Sequence, residues 1–128
     1  LSAEENKAVV LRFIDEVFVR HDSSNIEELV ANESLRQIAP GTVQAFPDLE
    51  MTVEQVIAEG DLVAVRVSAA ATHKGDFQGI APTGKGWEAT ASAWYEVQDG
   101  RISDFWVNWD WLAIMEAIGA VERVEPSR

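Results

Sequence analysis

The side chains of this chain that can move protons are almost all carboxylates: 22 Asp and Glu stand beside two histidines and no cysteine. That inventory excludes a thiolate nucleophile, a disulfide framework and a thiolate metal site. Two histidines without cysteine do not make a dedicated transition-metal site either, so any chemistry is expected to run on carboxylates and neutral donors. Asp110 is the first candidate, because it sits where an alternating run gives way to the helical face of Trp111, Leu112 and Met115. Counting along that run puts it on one strand face with Ile102, Asp104, Trp106 and Asn108. A carboxylate walled by Trp106, Trp109 or Trp94 would be desolvated, the environment in which it can exchange a proton with a carbon acid. The same position also suits a helix N-cap, which needs no catalysis. Spacing leaves both roles open.

Around Asp110, Trp106 and Trp94 have the parity to shape a cavity, and Asn108 or Ser92 has the parity to hold a carbonyl oxygen as it becomes an enolate. Asp104 on the same face would be a second carboxylate, able to share acid and base work, or a sheet-surface acid. His73 precedes a glycine-rich loop, where it would contact ligand or orient the loop through a backbone hydrogen bond. His21 follows the first helix and can cap its carbonyls. Gly75, Gly79 and Gly84 are turn residues, since neither a Lys-Ser or Lys-Thr pair nor a helix follows them as a phosphate cradle requires.

The elements that must position these residues run helices first, strands later and one helix last. Ser2 and Glu5 form a capping box ahead of Val9, Val10, Phe13, Ile14, Val17 and Phe18, so an amphipathic helix is expected to about Arg20, with Phe13 and Val17 turned toward the ligand. Ser24 or Asn25 caps a shorter helix through Ile26, Leu29 and Val30. Residues 32–46 are ambiguous, because Pro40-Gly41 should break any helix there and Pro47 stops whatever follows. The period then changes to two: Leu49, Met51, Val53 and Ile57 form one strand face, and Gly60-Asp61 turns into Val63, Val65 and Val67. A loop over residues 74–86 leads to a third strand from Trp87 to Val97, and Asp99-Gly100 makes the hairpin into residues 101–109. Gly119 ends the last helix. The expected fold class is α+β, a curved antiparallel sheet wrapped around the long first helix as a cone whose open end is a pocket mouth.

At 128 residues the chain holds one domain, placed at residues 1–119, with residues 120–128 as a tail expected to fray. The charge of −12 opposes phosphate backbones and anionic lipid, so neither nucleic acid nor membrane is an expected partner. Lack of cysteine and of any membrane-length apolar run points to the cytoplasm, and the first residue, Leu1, points to a trimmed N-terminus.

A further set of residues carries a family likeness: Phe46-Pro47-Asp48-Leu49, Ala58-Glu59-Gly60-Asp61 before Val63-Ala64-Val65, and Thr72-His73 with Gly75 and Gly79-Ile80. It continues through Pro82-Thr83-Gly84-Lys85 and Asp99-Gly100-Arg101-Ile102 to Trp106 four residues before Asp110. Across residues 46–119 this series resembles the SnoaL-like polyketide cyclases and ester cyclases, a branch of the nuclear transport factor 2-like superfamily. The resemblance implies a cone-shaped fold, a homodimer formed through the sheet, and a pocket between sheet and helices for a small hydrophobic molecule. It further implies cofactor-free intramolecular aldol ring closure on a polyketide ester, with Asp110 as the matching acid/base.

Relatives of that kind carry a longer segment ahead of the Phe-Pro-Asp motif, so the short stretch 32–46 is expected to leave one pocket wall missing. They also place a histidine or another polar donor on the strand occupied here by Ser92, Ala93 and Trp94, where only Ser92 substitutes. Two alternatives follow: a non-catalytic ligand-binding or dimeric interaction module whose pocket has closed, or an epoxide hydrolase-like or isomerase activity. The hydrolase reading requires Arg66 between two aspartates.

Overall fold

The computed structural model describes residues 1–122 and 124–126. Helix α1 (Ala3–Ile14) opens on the expected capping box, with Ser2 Oγ accepting from Glu5 N and Glu5 accepting from Ser2 N. It continues without a break into a π-helical turn, Asp15–Val19, closed by Arg20 N donating to Asp15 O at 2.8 Å. The one-turn helix α2 (Ile26–Leu29) follows Asn25, whose side chain makes no capping bond.

Residues 32–46 depart from expectation. They form one helix, α3 (Glu33–Ala45), that runs straight through Pro40. Asn32 starts it by accepting from Leu35 N at 3.0 Å, and Pro47 stands beyond its end. Pro40 removes one backbone donor, but burial of Leu35, Ala39 and Ala45 on one side holds the helix together. Tertiary packing has overridden a local breaker.

Four antiparallel strands follow in simple meander order, β1 (Glu50–Glu59), β2 (Leu62–Thr72), β3 (Gly86–Gln98) and β4 (Arg101–Trp109), and helix α4 (Trp111–Ala117) closes the fold. The Gly60-Asp61 and Asp99-Gly100 turns are where the sequence places them. Asp99 and Gly100 both take positive φ, 52° and 78°, as a tight primed hairpin turn requires.

Two register shifts set the faces of the sheet. On β1, Val53 faces Val67 but Gln55 faces Arg66, leaving Glu54 as an extra residue; on β4, Ile102 faces Val97 but Asp104 faces Glu96, leaving Ser103 as the extra one. Each bulge inverts the alternation beyond it. Met51 and Val53 point to the core, and past the bulge Val56 and Ala58 do so while Ile57 is 69% exposed. Ile102 is buried, and past its bulge Phe105, Val107 and Trp109 are the inner residues.

The helices cover the inner face. Val10, Phe13, Ile14 and Val17 pack against Val63, Val65, Ala93, Tyr95 and Ile102 in the main core. Full burial of each such large side chain contributes about 1.5–3 kcal/mol. A second cluster joins Phe46, Leu49, Phe77 and Trp87 to Ile114 and Ile118 of α4. The start of the tail is tied down, since Ala120 N donates to Met115 O at 2.9 Å. Residues 123, 127 and 128 of that tail lie outside the described residues. Among the described residues no helix is long and apolar enough to cross a membrane.

Candidate functional site

Small side chains on facing elements leave space between sheet and helices. Ala91 and Ala93 of β3 lie opposite Ala39, Gly41 and Ala45 of α3, and the gap is a cavity of about 390 Å³. That volume suits a compact organic ligand. Ile14, Phe18, Val65 and Val67 form its floor; Phe105, Val107 and Trp109 of β4, with Trp111 of α4, form one side. Helix α3, expected to be too short to serve, supplies the opposite wall through Leu35, Ile38, Ala39 and Thr42. The pocket is neither closed nor missing that wall.

The polar groups divide between two ends. Asp76 and Gln78, two residues apart on the loop between β2 and β3, line one end, where Phe77 stacks on Trp111 at 5.6 Å between ring centroids. Trp111 in turn lies 6.4 Å from Trp109, which is opposite Ala91 in the sheet. Tyr95, opposite Phe105, lines the other end. Its side chain is packed edge-on against Phe13 at 5.9 Å, and burial alone pushes its phenol well above the ordinary range, with no hydrogen bond opposing that shift. The loop is held by short backbone contacts. Gly75 N donates to Ala45 O at 2.9 Å, and a side chain at Gly75 would meet Gln44 O at 2.7 Å, so only glycine fits against the end of α3.

His73 anchors the other end of the same loop. It is fully buried, its Nδ1 accepts from Thr83 N at 3.3 Å, and its backbone exchanges bonds with Lys85 O and Gly84 N. An Nδ1 that accepts a backbone N–H carries no proton, so the ring proton is on Nε2. His73 orients the loop and does not line the cavity, which corrects its expected ligand contact.

Most other expected ligand contacts also lie elsewhere. Trp94, Ser92, Trp106 and Asn108 are on the outer face of the sheet, Trp94 opposite Trp106 and Ser92 opposite Asn108. The two indoles are 46% and 48% exposed. The strand parity that grouped them is right, but the grouping was anchored on Ile102, and the bulge at Ser103 puts Ile102 and Trp106 on opposite faces. Asp104 is on β4 beside the same bulge, accepting from Phe105 N at 2.8 Å. Phe13 and Val17 are core residues one layer behind the cavity, while their neighbours Ile14 and Phe18 reach it. Asp110 caps α4, its Oδ1 accepting from Ala113 N at 3.2 Å; it is exposed and is not part of the cavity wall. Arg66 donates from Nε to Gln55 Oε1 at 3.1 Å on the outer face, away from any pair of aspartates, so the epoxide hydrolase arrangement is not formed. His21 Nε2 donates to Leu49 O at 2.9 Å, so instead of capping the first helix it ties the end of that helix to the start of β1.

Sequence reasoning passed over Tyr95, Asp76, Gln78 and the α3 wall. A signal for Tyr95 was present: it shares odd parity on β3 with Ala91 and Ala93, and small residues on a buried strand face leave room for a ligand. No such signal marks the loop residues.

A curved meander sheet closed by helices over an apolar cavity defines a small-ligand α+β cone. The model of the SnoaL-like polyketide cyclase family matches residues 3–118, and the chain belongs to that family. It is similar to AclR of Streptomyces galilaeus, provisionally assigned as a hydroxylase, with a TM-score of 0.82 at 26% identity over 97% of this chain and 87% of that one. A SnoaL-like protein of Jannaschia sp. CCS1, provisionally a polyketide cyclase, superposes with a TM-score of 0.82 at 25% identity, covering 94% of this chain and 95% of its own. IdmH of Streptomyces antibioticus, also provisionally a polyketide cyclase, gives 0.71 at 27% identity over 88% and 98%. No curated protein matches the chain.

Proposed function

We propose that this protein is a cofactor-independent cyclase that takes a hydrophobic carbonyl compound into the cavity and closes a ring by an intramolecular aldol step. The observation that carries the reading is the apolar cavity with a carboxylate and a carboxamide, Asp76 and Gln78, exposed at its open end. Asp76 takes a proton from carbon alpha to a carbonyl, and the Gln78 amide donates to the enolate oxygen. The enolate carbon then attacks a second carbonyl carbon of the same molecule, a C–C bond forms, and the new alkoxide recovers the proton from Asp76. Asp76 and Gln78 work at the open end, and the apolar walls behind them hold the rest of the substrate away from water. Family resemblance names Asp110 for the base, whereas the cavity wall favours Asp76.

Hydrogen–deuterium exchange at the methyl group of 2-acetylnaphthalene separates the two carboxylates. Wild-type protein should accelerate the exchange, and Asp76→Asn should slow it by about 100-fold, the usual loss for one acid/base group. Asp110→Asn should exchange at the wild-type rate, because Asn caps a helix as well as Asp. Loss of exchange in Asp110→Asn, with Asp76→Asn active and both variants folded, would return the base to Asp110.

We also propose that the protein is a homodimer through the outer sheet face. The exposed Trp94–Trp106 pair and the uncharged Ser92 and Asn108 beside it support a second copy of this chain as the occupant.

A further inference from the structure

The geometry points to Tyr95 as the residue that selects the ligand: its hydroxyl donates to a neutral acceptor oxygen at the buried end of an elongated, uncharged aromatic or conjugated compound. This rests on reading the cavity as the site for a hydrophobic carbonyl compound. Tyr95 is only 4% exposed, lines the cavity, and has no hydrogen-bond partner for its hydroxyl among the described residues. The hydroxyl is not among the polar atoms sealed in the core without a partner, so on a residue that lines the cavity its bond is left for what enters. Burial keeps the phenol protonated, so it offers a donor throughout the working pH range.

The surroundings set the rest of the ligand's chemistry. Ile14, Leu35, Val65, Ala93 and Phe105 around that end are apolar, and among the described residues no Lys or Arg lines the cavity, so a carboxylate or phosphate placed there would lose its hydration without gaining a counter-charge. Among the described residues the one cavity-lining carboxylate that a cation could meet, Asp76, is at the opposite end. Four residues of extended strand, Ala91 to Tyr95, separate the two ends by about 13 Å. Two or three fused rings, or a conjugated chain of the same length, span that distance and reach both Tyr95 and the Asp76–Gln78 loop.

Prodan, a neutral naphthyl ketone whose emission moves to longer wavelength when its carbonyl accepts a hydrogen bond, tests the assignment directly. Its binding is read by emission, and 2-ethylnaphthalene, which has no acceptor, is read by displacing it. Wild-type protein should bind both, and Tyr95→Phe should weaken prodan ~5- to 10-fold, the loss of one net hydrogen bond, and shift bound emission to shorter wavelength. The hydrocarbon should bind the variant as tightly as the wild type, which also shows an intact cavity. Equal prodan affinity and emission in the two proteins overturns the role of Tyr95 and leaves the cavity reading standing. Failure of both probes to bind wild-type protein overturns the two together.

Discussion

Asp48 shows how one exposed carboxylate can tie two elements together. Its Oδ1 accepts from Thr72 N at 2.9 Å, joining the start of β1 to the end of β2, and that bond holds its carboxyl below the usual value of 3.8. A depressed carboxylate contributes stability that is present above its unfolded value and is lost as pH falls through the folded one. Urea midpoints should therefore fall as pH drops below about 4, and Asp48→Asn should flatten part of that slope while lowering the midpoint at pH 7. A slope identical to wild type would show that the bond does not contribute. The carboxylates also show where sequence was informative at this scale. The capping position of Asp110 was legible because a cap needs only local neighbours. The cavity position of Asp76 was not, because it depends on how a loop of residues 74–86 docks against α3 through Gly75 and is held at its far end by the bonds of His73 to Thr83, Gly84 and Lys85.

Among the elements, the hairpins, the last helix and the first helix to Arg20 follow from alternation, turn residues and caps, all local signals. Two things were hidden, and both are tertiary. Each bulge inserts one residue without any marked change in composition, so a period-two count begun at Leu49 misplaces Ile57, and one begun at Ile102 misplaces Trp106 and Asn108. Helix α3 was hidden by Pro40, whose cost is met by packing that only the fold supplies. That cost is open to measurement. Pro40→Ala restores a donor to the Arg36 carbonyl and removes the ring clash, so it should raise unfolding stability in urea by about 1–3 kcal/mol, less whatever the freer unfolded chain gives back. Stability equal to or below wild type would mean that α3 is distorted at Pro40 to relieve the strain. The same helix forms the cavity wall, so prodan affinity should stay within about twofold of wild type, as expected for a change that leaves Ile38, Ala39 and Thr42 in place.

The molecule as a whole separates its two aromatic surfaces across the sheet: Tyr95, Phe105 and Trp109 face inward to the cavity, Trp94 and Trp106 outward to solvent. A chain of charge −12 approaches a second copy against long-range repulsion, so association is favoured only over a face whose centre is uncharged. Trp94, Trp106, Ser92 and Asn108 make such a centre, with Arg66 opposite Ser92 at one side, Glu96 and Asp104 at one end and acids such as Glu50, Glu88 and Asp110 toward the other. Apolar burial at the centre would drive pairing and the acidic periphery would oppose it, so raising salt from 10 mM to 150 mM, which shortens the screening length from about 30 Å to about 8 Å, should tighten the dimer. Light scattering at tens of micromolar protein should give twice the 14.1 kDa chain mass in 150 mM salt. The double variant Trp94→Glu, Trp106→Glu should give the single-chain mass with an unchanged far-ultraviolet spectrum, because both side chains already face solvent in one chain. Prodan should still bind that variant, since neither residue reaches the cavity. A wild-type protein that remains a single chain under those conditions would leave the outer indoles without a partner copy, and loss of prodan binding in the charged variant would mean that the two faces of the sheet are coupled.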